Sequence, residues 1–442
     1  MTADERRAVA RAVLARSRAD AAEVTVEAKQ TALTRFTHEA VSANIDQTDT
    51  VVRVRAIVDG RIGTAATNRF EPAALDALAD RAREIAMLAP RESVTPVLSD
   101  ATGITAPPGA YVPATAAAAP DVRAGIAGAI FRHAASDLWS SGFAMTAGHG
   151  ITIVTSRGAE VAFDGTDAGA NVKMNGADST GFCERYSTDV AALDGDALGR
   201  EAARIAQQTR GPIAVDPGDW TVILAPAAFG ELLRFLTEHF AAEAYGDGSS
   251  FITGKLGHPV LGSNVNICDD FAHPLNPGMP FDYEGFPTQR VTLVADGIAR
   301  AIVTDSTWAR RLDLPNTGHA VEPPGSGGPD AGFTVVAPGT KSLQTLIAET
   351  ARGLLITRLW YVRSVDVRTV LLTGMTRDGT FLIEDGKITR GVHNMRFNES
   401  IVNALRDCEL SDTQVRTGGY RYSLVTPAVK FSHFRFASAS PY

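Results

Sequence analysis

The sequence predicts an α+β protein of two domains, residues 1–215 and 216–442, with largely antiparallel sheets flanked by helices. Three observations carry this reading. The chain has 442 residues, more than one ordinary core accommodates. Short β-prone runs recur along it, several joined by Asp-Gly, a pair suited to hairpin turns because both turn residues need positive φ. Stretches of helical periodicity stand between those runs, and no repeat of solenoid length occurs.

The elements follow in order. Ala3 to Arg18 reads as a helix, with Ala10, Val13 and Leu14 on one stripe. Glu23–Lys29 and Leu33–Thr37 are short strand candidates. Val51–Val58 runs through Asp59-Gly60 into Arg61–Thr64, the pattern of a hairpin. A helix from Glu71 to Leu88 closes this unit, its apolar positions Leu75, Leu78, Ala82, Ile85 and Ala86 keeping the helical period. Residues 89–120, rich in Pro, Ala and Thr, read as a linker or irregular surface. Next come a helix over 121–135, strands through 151–154 and 161–174, and a helix over 194–209. Arg210–Gly218, with Pro212 and Pro217, marks the expected boundary. The second half opens on a buried strand, Trp220–Leu224. Pro226 then starts a helix, since proline suits the first turn, and the pattern predicts that this helix continues from Ala227 to Tyr245. Val291–Val294 leads to Asp296-Gly297, and Phe381–Glu384 to Asp385-Gly386. Leu343–Ala351 reads as a helix and Pro323–Gly332 as a flexible loop.

Composition excludes several classes. Hydrophobic residues are 45% and charged residues 21%, as in ordinary folded proteins. The net charge of -8 and the lack of a basic block remove the footprint of a nucleic-acid binder. Cys183, Cys268 and Cys408 are odd in number and widely spaced, which argues against a disulfide framework or a zinc knot. The first residues are charged throughout and no apolar run reaches membrane-spanning length. The expectation is a cytoplasmic protein without membrane association.

Common catalytic motifs are missing. The nine histidines form no HxH or HExxH pair, and an isolated histidine is more often a surface or core residue than a ligand. No phosphate-binding glycine motif follows a strand, and no GxSxG occurs. Asp269-Asp270 and Asp282–Tyr283–Glu284 are acidic clusters that could offer oxygen ligands to a cation, although such acids more often serve loop ends.

One ordered set of segments is more specific. DWTVILAPAAFGELLRFLTEHFAAEAYGDGSSF starts at Asp219, FDYEGFPTQR at Phe281, LQTLIAETARGLLIT at Leu343 and FLIEDGKITRGV at Phe381. With the N-terminal hairpin, these segments resemble the TldD/PmbA family, in which a TldD-type metallopeptidase pairs with a TldE (PmbA)-type chain. FDYEGFPTQR is the most specific piece. The resemblance implies that a catalytic subunit would carry HExxxH on the 227–245 helix, two imidazoles holding the metal and a carboxylate taking a proton from its water. At that register this chain has Arg234, Phe235 and His239. Arginine is permanently charged and cannot ligate a cation. The family's cysteine ligand near the C-terminus also has no counterpart after Leu410, and Cys408 stands in another context.

The resemblance therefore implies a TldE-like subunit with no catalytic residue and no metal of its own. Zinc is expected in a TldD-type partner, and the heterodimer would act on unfolded peptides held by backbone pairing to a strand edge. General peptide turnover and leader removal in natural-product maturation are both open. Asp282 and Glu284 are candidates for lining the substrate chamber. Two rivals stand beside this reading. His239 and Glu243, four apart on the expected helix, with Glu231 and Glu238 near, could form a rearranged metal site in a divergent metallopeptidase. The chain could instead be a self-associating peptide-binding protein.

Overall fold

The computed structural model describes residues 1–94, 96–135, 137–323, 328–418 and 423–439. The fold is mixed α/β, built on two sheets. The N-terminal sheet has six strands in the order β3-β2-β1-β4-β5-β6: β1 (Ala21–Thr37), β2 (Ala40–Val58), β3 (Arg61–Thr67), β4 (Trp139–Thr155), β5 (Glu160–Asn175) and β6 (Thr180–Ser187). All its pairings are antiparallel. Helices α1 (Ala3–Leu14), α2 (Pro72–Leu88), α3 (Pro113–Ala116), α4 (Pro120–Phe131) and α5 (Gly195–Gln208) accompany it.

Local chemistry explains the expected elements. Thr2 and Glu5 form a capping box at the start of α1. Asp59 and Gly60 take φ of 49° and 70°, so the predicted hairpin between β2 and β3 forms. Gly63 lets α2 lie directly on β3, because a Cβ there would stand 2.1 Å from the Ala82 carbonyl oxygen.

Other expectations are corrected. The first helix stops at Leu14, four residues early. The two short strands expected over 23–37 are one strand of 17 residues. Its partner β2 starts at Ala40, well before the predicted Val51. Residues 40–49 are exposed almost throughout, so their sequence lacks the inside-outside alternation that marks a half-buried strand.

The C-terminal sheet has thirteen strands: β7 (Gly218–Leu224), β8 (Ile267–Asp269), β9 (Val291–Ala295), β10 (Ile298–Ala299), β11 (Thr334–Val336), β12 (Arg352–Ile356), β13 (Leu359–Asp366), β14 (Leu371–Thr376), β15 (Thr380–Glu384), β16 (Lys387–Gly391), β17 (Met395–Ser400), β18 (Cys408–Thr417) and β19 (Leu424–Ala439). The hub is β19, which pairs with β7, β11, β17 and β18. Two pairings are parallel, β7 with β12 and β11 with β19. Helices α6 (Pro226–Thr237), α7 (Ala242–Gly246), α8 (Ser306–Leu312), α9 (Leu343–Ala348) and α10 (Ile401–Ala404) belong to this half. The helix predicted over 343–351 thus ends three residues sooner. The predicted turns at Asp296-Gly297 and Asp385-Gly386 both have positive φ. Part of the loop expected over 323–332, residues 324–327, lies outside the described residues.

A large apolar cluster of Phe229, Leu232, Leu236, Val429, Phe431 and Phe434 holds α6 against the C-terminal sheet. Ion pairs join the two halves. Arg55 of β2 meets Glu284, Asp167 of β5 meets Arg416 of β18, and Lys173 of β5 meets Asp378. Among the described residues, no helix is long and apolar enough to cross a membrane.

Candidate functional site

The site is built on α6. Val222, Ile223 and Leu224 of β7 are fully buried, Ala225 is extended, and Pro226 opens the helix. Ala228, Phe229, Leu232, Leu233 and Leu236 form the buried face. Gly230 faces β18 at close range, because a Cβ there would lie 2.4 Å from Thr417 Oγ1. Glu231, Arg234 and Phe235 occupy the partly open face.

The helix expected to run unbroken to Tyr245 does not. α6 ends at Thr237, a 3-10 turn spans Glu238–Phe240, and Ala241 is extended before α7 begins. A distant segment causes the break. Val303 donates to the Phe240 carbonyl at 2.9 Å, and the Ala242 N–H donates to the Val303 carbonyl at 3.0 Å. These two bonds draw residues 240–242 out of the helical path. His239 and Glu243 consequently lie in different elements, which removes the shared helical face on which the rearranged metal site depended.

Arg234, Phe235 and His239, the residues that the resemblance sets at the metal register, each have a definite environment. The Arg234 guanidinium lies over the Phe235 ring, 4.7 Å from its centroid, and 3.6 Å from the Glu231 carboxylate. His239 is 5% exposed. Its ring meets Phe251 edge-on at 5.5 Å, and its Nδ1 has no hydrogen-bond partner among the described residues. Burial pushes its pKa down to about 4, so the ring is neutral at ordinary pH.

Arg234, Phe235, Thr237 and Glu238 line a cavity of about 350 Å³, closed on the other side by residues 328–332, Ser423 and Leu424. Desolvation and the charge of Asp330 push the Glu238 carboxyl up, while Arg234 opposes them. A second cavity of about 510 Å³ adjoins the first at Val321, Gly332 and Ser423, and reaches Lys29, His149 and Asp167 in the N-terminal half. Its walls come from segments far apart in sequence, and no local motif announces them.

These residues do not fit a catalytic zinc site, which takes three protein ligands. Arg234 carries a cation, Phe235 has no donor atom, and His239 supplies one imidazole inside an aromatic pocket. Among the described residues, no group of three His, Cys, Asp or Glu side chains is placed to hold a metal. Cys408, at the start of β18, is buried, and burial pushes its thiol up to about 12; a thiol held neutral is a poor ligand.

Asp282 and Glu284 are both buried; Glu284 is bonded across the joint between the halves, while Asp282 holds backbone of its own half. Asp282 accepts from the backbone N–H groups of Glu284, Phe286 and Ala320 at 2.9–3.0 Å. Burial and the Glu284 charge push its carboxyl well up, against the pull of those three donors. Glu284 accepts from Arg55 at 2.7 Å and from the Ser306 N–H at 3.1 Å. Arg55 also donates to Glu23 at 2.9 Å. Neither carboxylate lines the cavity under Arg234.

Comparison with known proteins agrees with this architecture. Residues 22–86 match domain 1 of the PmbA/TldA metallopeptidases, and residues 217–438 match the C-terminal domain of the same family. The chain belongs to the TldD/PmbA family. A metalloprotease TldD homolog from Haemophilus influenzae is 28% identical over 234 residues, 50% of this chain and 48% of that one. The metalloprotease PmbA of Escherichia coli O157:H7 is 25% identical over 229 residues, 49% of this chain and 48% of that one. The chain thus spans about half the length of these curated relatives. The crystal structure of TldE from Thermococcus kodakarensis superposes with a TM-score of 0.88 at 21% identity, covering 99% of this chain and all of that one. A proposed modulator of DNA gyrase from Thermotoga maritima gives 0.84 at 18% identity, covering 94% of this chain and 96% of that one. These two likenesses establish the fold.

Proposed function

We propose that this chain is the TldE-type, non-catalytic subunit of a two-chain metallopeptidase. In this reading zinc and the cutting chemistry lie in a TldD-type partner, and the pair acts in the cytoplasm on unfolded peptides, in general turnover or in trimming leaders from natural-product precursors. The observation that carries it is the pair Arg234 and Phe235, which stands where the family's catalytic chains have a metal ligand and a general base. The side chains at that register cannot activate a water, while the fold around them is kept. Family membership supports the association with a TldD-type chain.

The test uses the full chain, alone and co-expressed with a TldD-type chain bearing HExxxH. Alone, it is expected to retain no stoichiometric zinc after dialysis and to leave an unfolded peptide intact. Together, the two chains are expected to co-purify and to cleave that peptide. Stoichiometric zinc on the isolated chain, lost in His239→Ala, would sink the proposal and favour a divergent peptidase. Failure to associate would favour a self-associating peptide binder.

A further inference from the structure

A cavity of about 640 Å³ lies at the seam between the halves. It shares no lining residue with the two cavities near Arg234. Lys173 of β5 and the turn between β5 and β6, residues 176–180, come from the N-terminal half; the turn between β14 and β15, residues 377–380, and residues 392–394 come from the C-terminal half. The volume is that of a small-molecule site. Ser179 and Thr380 line it, one from each half. They are 5% and 1% exposed, and neither hydroxyl oxygen has a hydrogen-bond partner among the described residues. Buried hydroxyls are nearly always paired, and leaving one unpaired is costly. Two on the wall of one cavity point to a ligand that supplies the acceptors.

Charge selects the occupant. Asp378 is shared by two cations, Lys173 at 3.0 Å and Arg358 at 2.6 Å, so this group keeps a positive excess. An ammonium has three N–H donors, and Lys173 spends one on Asp378. Arg377 lies 5.3 Å from the Trp360 ring centroid and has no carboxylate partner among the described residues, which leaves its guanidinium free for a ligand. Asp178 also lines the cavity; it is exposed and accepts from the Gly211 N–H at 2.9 Å. The free donors thus stand at four points, Lys173, Ser179, Arg377 and Thr380. A carboxylate is planar, and one arginine fork satisfies it. The terminal oxygens of a phosphate monoester spread as a tetrahedron and accept from several directions. Pro212, Met375 and Val392 add apolar wall, and the volume leaves room for an organic group beyond the phosphate.

We infer that the seam cavity binds a small organic phosphate monoester, its phosphate held by Lys173, Arg377, Ser179 and Thr380. Because these residues come from both halves, the ligand bridges the seam and binds only when the halves are joined. The inference is independent of whether the chain is catalytic, and its test needs neither zinc nor a partner.

The full chain would be titrated calorimetrically with two phosphate monoesters, glucose 6-phosphate and adenosine 5′-monophosphate, and with inorganic phosphate, glucose and citrate. At least one monoester is expected to bind with saturation, about tenfold or more tighter than inorganic phosphate or citrate. Bound, it should protect amides over residues 176–180 and 377–380 from hydrogen exchange. Arg377→Gln, with folding checked by circular dichroism, should weaken binding about tenfold. Thr380→Val keeps the side-chain shape and removes the hydroxyl. It should weaken binding while leaving the melting temperature of the unliganded chain within about 1 °C of the parent or above it. No saturable heat from either monoester, equal affinity for citrate, full affinity in Arg377→Gln, or protection confined elsewhere would overturn the inference. So would a lower melting temperature of unliganded Thr380→Val, which would show that the hydroxyl already has a partner in the protein.

Discussion

His239 sits against Phe251, its Nδ1 without a hydrogen-bond partner among the described residues, and burial there favours its neutral form. Its folded pKa, about 4, lies below the unfolded value of about 6.5. Between those values the unfolded chain binds the extra proton, so stability falls as pH drops through that window and is unaffected by this group above it. The full linkage is up to about 3 kcal/mol. His239→Phe, which keeps the ring contact, should remove this component. Urea unfolding at pH 4.5 and 7.5 should show a smaller loss in the variant than in the parent; an equal loss would disprove the assignment. Arg55 presents the opposite case. It is hydrogen-bonded and ion-paired to two buried carboxyl groups, Glu23 and Glu284, and removing it leaves both without their cation. Arg55→Met should cost about 3–5 kcal/mol, read from the shift in denaturant midpoint.

At the level of elements, legibility follows the range of the forces involved. The turns at Asp59-Gly60, Asp296-Gly297 and Asp385-Gly386 were readable because positive φ is a local demand. The start of α6 was readable because Pro226 encodes it. The end of α6 was not, since residues 238–245 have ordinary helical composition and the break is imposed by Val303, far along the chain. FDYEGFPTQR was recognisable as a family segment, yet its work in the joint was hidden, because Glu284 and Arg55 are 229 residues apart. Arg234, Phe235 and His239 stood out only through the family resemblance, and the cavity that Arg234 and Phe235 line takes shape only on folding. The seating of α6 on β18 depends on Gly230, whose missing Cβ leaves room for Thr417. Gly230→Ala should destabilise the protein by about 1–3 kcal/mol through overpacking. Adding Thr417→Ala should recover part of that loss, and a double-mutant cycle in urea would measure the coupling. Strict additivity would mean that the two positions do not press on each other.

Over the whole molecule, the question is whether two sheets, each with its own main cores, unfold as one; two small apolar clusters, Phe281 among Ile151, Ile153 and Phe163, and Ile205 beside Ile223 and Leu355, already cross between the halves. The N-terminal half has smaller apolar clusters around Val24, Val54 and Ala82 and around Ile130, Ala170 and Val172. The C-terminal half has one much larger cluster. Left to themselves, the halves would differ in stability, with the N-terminal one weaker. The buried pairs Arg55–Glu284, Arg416–Asp167 and Lys173–Asp378 span the joint, and their partners would be stranded if the halves parted. Unfolding should therefore be cooperative. Trp139 lies in the N-terminal half, and Trp220, Trp308 and Trp360 lie in the C-terminal one. A chain with the latter three changed to phenylalanine reports the N-terminal half by fluorescence, while far-UV circular dichroism reports both. The two transitions should coincide in that background. Glu284→Gln with Lys173→Met weakens the joint while leaving both cores untouched. It should move the Trp139 transition below the main one by about 2 kcal/mol, or roughly 1 M in urea midpoint. Separate transitions already present before the joint is weakened would show that the ion pairs decorate the contact without coupling the halves.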